Sequence, residues 1–452
     1  MTSLLIKRIF PFALAALIII TFLPACILSE TLKSKKAPYI RDEQGRIVIY
    51  HGVCVSNYSK HSGNGRAGLP WHGQKDFDRL KEWGFNLVRY MMFWEALEPD
   101  SGAYDYGYLK ASLEKIRSIN ADVVIDLHQD LYCRKFGGNG FPEWSARDNG
   151  KKFRYRHPWS LTYLEPAVRN SYAGFWNDIA LLSRYCAMLA FVMSATDTLT
   201  NVIGIDVMNE PFNGFSLGFE RKTLSAFYNR ILKTAAETGY KKMIFFEPQM
   251  YASGGLSTSL AIKPDKSWVY APHYYDPFCH EGRPYKNFNR GFLRKVLSGK
   301  AKEAAKFGTP MVLGEFGVSP KVPDYLSYIT DVADLADEYA FGWCYYSYDR
   351  ISDEAFGIVD DSLAEQPNLS RLVRVYPQRI AGNNPVFHCE AGRFTLEFDA
   401  SGIPAPTEIF IPRRCANVVI AVNGVKVATK QAGEMYTFTS EKGRKKVEIT
   451  WQ

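Results

Sequence analysis

Glu210 stands in Asn209-Glu210-Pro211 and Glu315 in Gly314-Glu315-Phe316-Gly317, each directly behind a short apolar run. Two carboxylates facing each other across a cleft can break a glycosidic bond, one protonating the leaving oxygen and the other attacking the anomeric carbon. A separation of about 5–5.5 Å implies retention through a covalent intermediate, and a wider gap leaves room for water and inversion. The sequence leaves that distance open. For this chemistry Glu210 must keep its proton near neutral pH, which burial and the charge of Glu315 favour. Glu315 must stay ionised, which Arg89 and a hydroxyl such as that of Tyr275 favour.

Taken singly, these motifs have plainer readings. Asn-Glu-Pro can be a strand end before a turn, because Pro cannot continue a ladder, and a lone buried His is usually a hydrogen-bonded core residue. Joint placement changes the balance. Arg89, His128-Gln129-Asp130, Asn209-Glu210, His273-Tyr274-Tyr275, Glu315 and Trp343 stand in or behind six separate apolar runs. Glu95, Glu98, Glu143 and Glu247 serve as controls, with Glu98-Pro99 and Glu247-Pro248 read as strand-to-loop turns.

Eight β-rich runs must carry these residues: 47–55, 87–91, 123–127, 203–208, 243–246, 268–271, 311–313 and 342–346. Between them apolar residues recur at helical spacing, as at Phe77, Leu80 and Trp83 and at Leu109, Leu113 and Ile116. Eight strand-helix units predict a closed (β/α)8 TIM barrel of the α/β class, with the site at the C-terminal ends of its strands. Beyond Pro377 the texture changes to short alternating runs at 394–398, 407–411, 418–422, 425–429, 435–439 and 446–451, with Asn423-Gly424 as a hairpin turn. These predict a C-terminal β-sandwich. The expected organisation is a signal at 1–26, a linker at 27–44, the barrel at 45–370 and the sandwich at 371–452.

Composition agrees with a globular enzyme. The chain is 46% apolar and 23% charged, with 34 Gly and 23 Pro among 452 residues, which excludes a disordered, collagen-like or coiled-coil chain. A formal charge of +8 without a basic tail argues against nucleic acid as a partner. Eight cysteines with no paired C-x-x-C spacing argue against structural zinc and fix no disulfide. Lys7 and Arg8, the apolar run 9–23 and Leu23-Pro24-Ala25-Cys26 form an export signal, and its last four residues resemble a lipoprotein cleavage box ending at Cys26. The mature chain is therefore expected to be secreted, or anchored through Cys26.

The barrel motifs resemble the cellulase-like enzymes of glycoside hydrolase family 5. That resemblance implies Glu210 as acid/base, Glu315 as nucleophile, Asn209 at the sugar 2-hydroxyl, and Arg89 and Tyr275 tuning the nucleophile. It also implies His128 and His273 as supports and Trp343 as the floor of the first sugar subsite. Asp126-Leu127-His128-Gln129-Asp130-Leu131-Tyr132, Asn139-Gly140-Phe141-Pro142-Glu143-Trp144, Val375-Tyr376-Pro377 and Ala405-Pro406-Thr407-Glu408-Ile409-Phe410 are similar to the endoglycoceramidase branch. By that similarity the substrate is a glycosphingolipid, cut between glycan and ceramide, with Asp130 and Lys60 on the first sugar. No metal or organic cofactor is implied, and a monomer is expected.

A lipid aglycone offers one role for the aromatics of the long connection behind the third run: Tyr132, Phe136, Phe141, Trp144, Phe153, Tyr155 and Trp159, followed by Phe212, Phe215 and Phe219. They either line an apolar slot or pack the loop on its own barrel. Beside them Arg147, Lys151, Lys152, Arg154 and Arg156 either meet anionic head groups or form a solvated face. The same chemistry also suits an endo-β-glucanase or a β-glucosidase acting on glucosylceramide or a steryl glucoside. A non-catalytic glycan- or lipid-binding surface protein is the third reading, and the paired Glu210 and Glu315 speak against it.

Overall fold

Runs rich in β-branched and aromatic residues become eight parallel strands that close on themselves. They are His51–Val55, Leu87–Met92, Asp122–Leu127, Val202–Asp206, Met243–Phe246, Trp268–Tyr270 with His273–Tyr274, Val312–Phe316 and Gly342–Tyr345. Each pairs with its sequence neighbour, and the eighth returns to the first through Trp343 beside His51 and Tyr345 beside Val53. The sixth strand is broken around Pro272. Its first half pairs with the fifth strand, and its second half sets His273 beside Glu315 on the seventh. This computed structural model describes residues 36–61, 68–214, 216–349, 356–430 and 435–452. The signal segment with Cys26, and Phe215, lie outside them.

The helices form where the apolar spacing predicts. Gln74–Glu82 buries Phe77 and Leu80 against the barrel. Tyr106–Arg117 buries Leu109 and Ile116, and the Asp105 carboxylate accepts the Tyr108 N–H at 2.8 Å, satisfying one of the amides a helix start leaves unpaired.

Two antiparallel sheets follow. One orders Tyr376–Ile380, Thr407–Phe410 and Met435–Phe438, and the other Gly382–Glu390, Arg393–Ala400, Gly443–Thr450, Val418–Val422 and Val425–Lys430. Phe387, Phe394, Leu396, Ile409, Ile420 and Ile449 fill the space between them. Tyr376–Ile380 and Gly382–Glu390 escape the sequence reading because each contains a proline. Pro385 is accommodated where the pairing register shifts between Asn383 and Val386.

The first predicted run divides. Only His51–Val55 belongs to the barrel, whereas Ile47–Val48 pairs antiparallel with the sandwich, Ile47 opposite Ile380. Other contacts join the same two layers. The Tyr376 ring stacks on His51 with centroids 3.5 Å apart and its hydroxyl donates to the Gly84 carbonyl at 2.6 Å. Arg374 pairs with Asp334 at 2.7 Å and Asp337 at 2.8 Å. Gly84 has φ +83°, and a Cβ there would fall 2.3 Å from the Phe410 ring. Only glycine meets both demands.

The long connection is a small core of its own. Tyr132 stacks on Phe141 at 4.6 Å, Phe141 meets Phe175 edge-on at 4.9 Å, and Trp94 and Tyr185 close the cluster. Tyr132, Phe136, Phe141, Phe212 and Phe219 are buried in this packing, which removes them from an open lipid slot. Of the basic residues beside it, Arg147 and Arg156 pair with Asp178 and Glu165, and Lys151, Lys152 and Arg154 are solvent-exposed. All seven described cysteines are free thiols, five of them buried.

Candidate active site

A charged residue inside an apolar strand needs partners within the barrel, because an unpaired buried charge is strongly disfavoured. Arg89 on the second strand has them. Its Nη1 lies 2.5 Å from Glu315 Oε1 and 2.9 Å from Asp126 Oδ2. Its Nη2 lies 2.9 Å from Asp206 Oδ2, 3.0 Å from Asn209 Oδ1 and 3.1 Å from Glu247 Oε1. Register makes this possible, since Asp126 and Asp206 sit side by side on the third and fourth strands.

Glu315 is held ionised. The Tyr275 hydroxyl donates to its Oε2 at 2.8 Å, and His273 Nδ1 lies 3.6 Å from the same oxygen. Burial alone would raise its pKa, but His273, Arg89, His128 and Lys60 outweigh it and bring the carboxyl down to about 2.

Glu210 is pushed the other way. Burial raises its pKa, with Glu315 and Glu247 adding to the shift and the hydrogen bond from His273 opposing it. Its Oε1 accepts from Ser253 Oγ at 2.8 Å and lies 3.0 Å from His273 Nδ1. The backbone at Glu210 has φ +41°, a strained value for a residue with a Cβ. Two clamps hold it there: its N–H donates to Glu247 Oε2 at 2.9 Å, and its carbonyl accepts from Gln129 Nε2 at 3.1 Å. Gln129 in turn accepts from the Tyr172 hydroxyl at 2.5 Å.

One imidazole nitrogen therefore touches both Glu210 and Glu315. The sum of its two contact distances bounds the gap between those oxygens from above, near the lower edge of the inverting range (about 6.5–9.5 Å), a bound that admits the retaining spacing (about 5–5.5 Å). On its other side His273 Nε2 lies 3.1 Å from Glu247, and the anions around this buried ring raise its pKa well above the usual value against the pull of burial. Asp206 is raised well above the carboxylate range by burial and by Glu247 beside it, with Arg89 opposing.

At the rim Lys60 Nζ pairs with Asp130 Oδ2 at 2.8 Å, and His128 Nε2 reaches the same oxygen at 3.2 Å while its Nδ1 meets Asp126 at 2.7 Å. Burial would raise the Asp130 pKa, but Lys60 and His128 hold it well below the usual range. Among the described residues two triads are close enough to share an ion, Asp126 with His128 and Glu315, and Asp206 with Glu247 and His273. Arg89 reaches into both, meeting Asp126 and Glu315 of the first and Asp206 and Glu247 of the second.

The structure thus gathers Glu210, Glu315, Arg89, Lys60, His128, Asp130, Asn209, His273 and Tyr275 at one end of the barrel. Trp343 stands apart. It is fully buried with its ring 4.4 Å from His51 and edge-on to Phe85 and Phe316, on the outer face of the eighth strand, and His51 in turn stacks on Tyr376. Strand alternation turns inward the aromatic three residues on, Tyr346, whose ring lies 4.9 Å from Lys60 Nζ and whose hydroxyl donates to Asn57 at 2.5 Å. Glu247, read from sequence as a turn residue, belongs to the site, as do Asp126, Asp206, Gln129 and Ser253. The available signal was Arg89 itself, a cation in an apolar run that requires acidic partners at the ends of neighbouring strands. Glu98 is a structural carboxylate, accepting from Trp94 Nε1 and the Gly102 N–H, both at 2.8 Å.

The chain belongs to glycosyl hydrolase family 5: the cellulase model of that family matches residues 52–352, and the family's C-terminal domain matches residues 374–450. Endoglycoceramidase I of Rhodococcus hoagii (strain 103S) is 27% identical over 401 residues, covering 82% of this chain and 78% of that protein. The solved structure of endo-glycoceramidase II from Rhodococcus sp. with a five-membered iminocyclitol superposes with a TM-score of 0.82 at 26% identity, over 92% of this chain and 100% of that one. Its lactosyl-enzyme intermediate gives 0.81 at 25% identity, with the same coverage of both chains.

Proposed function

We propose that this chain is a retaining endo-glycosidase that hydrolyses the bond between glycan and ceramide in glycosphingolipids, with Glu210 as acid/base and Glu315 as nucleophile. The observation that carries the reading is the opposed protonation of the pair, Glu315 held down by Arg89 and His273 while Glu210 is held up by burial. In the first step a Glu315 oxygen supplies the electron pair of a new bond to the anomeric carbon. The bond to the aglycone oxygen breaks, its electron pair stays on that oxygen, and the proton of Glu210 moves there. In the second step Glu210, now a carboxylate, takes a proton from water as the water displaces Glu315. The lactosyl-enzyme intermediate named for the Rhodococcus enzyme supports this two-step course.

Around the reacting centre, Asn209 has one amide N–H left for the 2-hydroxyl, because its Oδ1 accepts from Arg89 and its other N–H donates to the Gln129 carbonyl at 3.1 Å. Lys60 and Asp130 bind the hydroxyls of the first sugar. The N-terminal pattern of a basic pair, an apolar run and Leu23-Pro24-Ala25-Cys26 supports export with lipid attachment at Cys26, and labelled palmitate incorporated in the wild type but not in Cys26→Ser tests it. Exposed Lys151, Lys152 and Arg154 beside half-exposed Tyr155 support contact with a membrane surface, and the enzyme acts as a monomer.

Mass spectrometry of products from a mixed glycosphingolipid panel with cellooligosaccharides tests the function. Intact oligosaccharide together with ceramide is the expected result. Cleaved cellooligosaccharide beside untouched lipid would move the chain to the glucanases, and release of glucose alone from glucosylceramide would move it to the β-glucosidases.

A further inference from the structure

Oε1 of Glu210 is engaged twice, by Ser253 Oγ at 2.8 Å and by His273 Nδ1 at 3.0 Å. Among the described residues Oε2 has no hydrogen-bond partner. A carboxylic acid carries its proton on one oxygen and offers the other as a carbonyl acceptor, and an oxygen that takes two donors is the acceptor. We infer that Ser253 is a positioning residue for the proton donor: with His273 it fixes Oε1 as the acceptor and leaves Oε2 to carry the proton that moves to the glycosidic oxygen. The inference rests on Glu210 as the acid/base.

Ser253 is well placed for this. It lies in the single-turn helix Met250–Gly254 behind the fifth strand, where the Met250 N–H donates to the Pro211 carbonyl at 3.0 Å. The Tyr275 N–H donates to the Ser253 carbonyl at 2.9 Å. The turn is thus tied on one side to the residue after Glu210. On the other it is tied to the tyrosine whose hydroxyl meets Glu315, so one residue spans both halves of the reaction. Without the Ser253 hydroxyl, Oε1 keeps one donor and the proton distributes between the two oxygens, one of which is turned toward His273.

A leaving group that needs no proton is indifferent to this arrangement, and one that needs a proton is not. The test measures kcat/KM on aryl β-lactosides whose leaving groups range from dinitrophenol to phenol, for the wild type, Ser253→Ala, Ser253→Thr and Glu210→Ala. The expected loss in Ser253→Ala is about tenfold on the phenyl substrate, the upper scale of one neutral hydrogen bond, and less than about twofold on the dinitrophenyl substrate, with Ser253→Thr restoring the phenyl rate. An equal loss on every leaving group, or no loss on any, overturns the role. If Ser253→Ala does not fold, Ser253→Gly removes the same hydroxyl with the opposite demand on the turn. Glu210→Ala separates the two levels: if it lacks leaving-group sensitivity the acid assignment itself fails, and if it shows it while Ser253→Ala does not, only Ser253 loses its role.

Discussion

Arg89 and Glu315 meet at 2.5 Å between the second and seventh strands, and the same guanidinium holds Asp126, Asp206 and Glu247. Removing it strands several buried anions at once. Arg89→Met should lower stability by about 3–5 kcal/mol, the cost of breaking a buried ion pair from one side. Activity should be lost at temperatures where the variant is still folded. Chemical denaturation together with turnover of an aryl glycoside checks both effects.

Glu315→Gln should abolish turnover in a folded protein, and substantial remaining activity would remove the nucleophile assignment. Its stability relative to wild type should depend on pH in a defined direction. A carboxyl depressed to about 2 in the folded chain contributes stability that is fully present above its unfolded value of about 4.3 and is lost as pH falls through the folded value. The wild-type advantage in melting temperature should therefore shrink between about pH 4.5 and pH 2. The same substitution removes a negative neighbour from Glu210, so the Glu210 pKa should fall, which carbon NMR of labelled glutamate can follow.

Glu210→Ala should lose turnover of natural substrates, whose leaving oxygen needs a proton, and on a dinitrophenyl glycoside, whose leaving group needs none, added azide should restore the slowed second step, with the product a β-glycosyl azide. The small anion takes the space of the lost carboxylate and attacks the covalent intermediate from the face the water would have used. A variant that stays inactive with azide would count against this acid/base assignment.

Trp343 and Tyr346 make a contrasting pair. Trp343→Phe should cost stability, since the ring is fully buried against His51, Phe85 and Phe316, and leave KM near wild type. Tyr346→Ala removes the ring beside Lys60 and should raise KM or lower kcat by roughly tenfold or more. The reverse pattern in steady-state kinetics would restore Trp343 to the sugar subsite.

The sandwich should behave as part of the folding unit. Deleting residues 374–452 uncovers His51 and Ile49, and should leave a barrel that does not melt cooperatively. Gly84→Ala should destabilise by roughly 1–3 kcal/mol, from a strained φ and overpacking against Phe410. Thermal denaturation reads both, and an unchanged melting temperature on deletion would mark a detachable module.

The barrel and its two glutamates were legible because their signals are local. A β-rich run, a polar residue behind it and a helical spacing between runs can each be read in a short window. What failed depended on the face of a strand or on distant partners. Trp343 stands on the correct strand, but the first run ends at Val48 and restarts at His51, and sequence gives no reference for which face of the eighth strand looks inward. Glu247 looks like a turn residue because Pro248 follows it, although its side chain lies between Arg89 and His273. The aromatics behind Asp130 left two readings open, since burial and slot lining require the same residue types. The tyrosine hydroxyls decided it: Tyr163 and Tyr172 accept the backbone N–H groups of Leu131 and Tyr132 at 3.0 and 2.8 Å, so that loop is closed on itself.

The pairing of Ile47 with Ile380 orders the assembly of the chain in time. A ribosome delivers the segment before the first barrel strand early, yet its hydrogen-bonding partner emerges only after all eight barrel strands have been made. Until then the first strand has one end unanchored, and His51 lacks the ring of Tyr376 that covers it. Anchoring of that segment therefore waits on the last portion of the polypeptide, a contact of very long sequence separation of the kind that slows folding. A chain interrupted before that portion would expose the apolar underside of its own first and eighth strands.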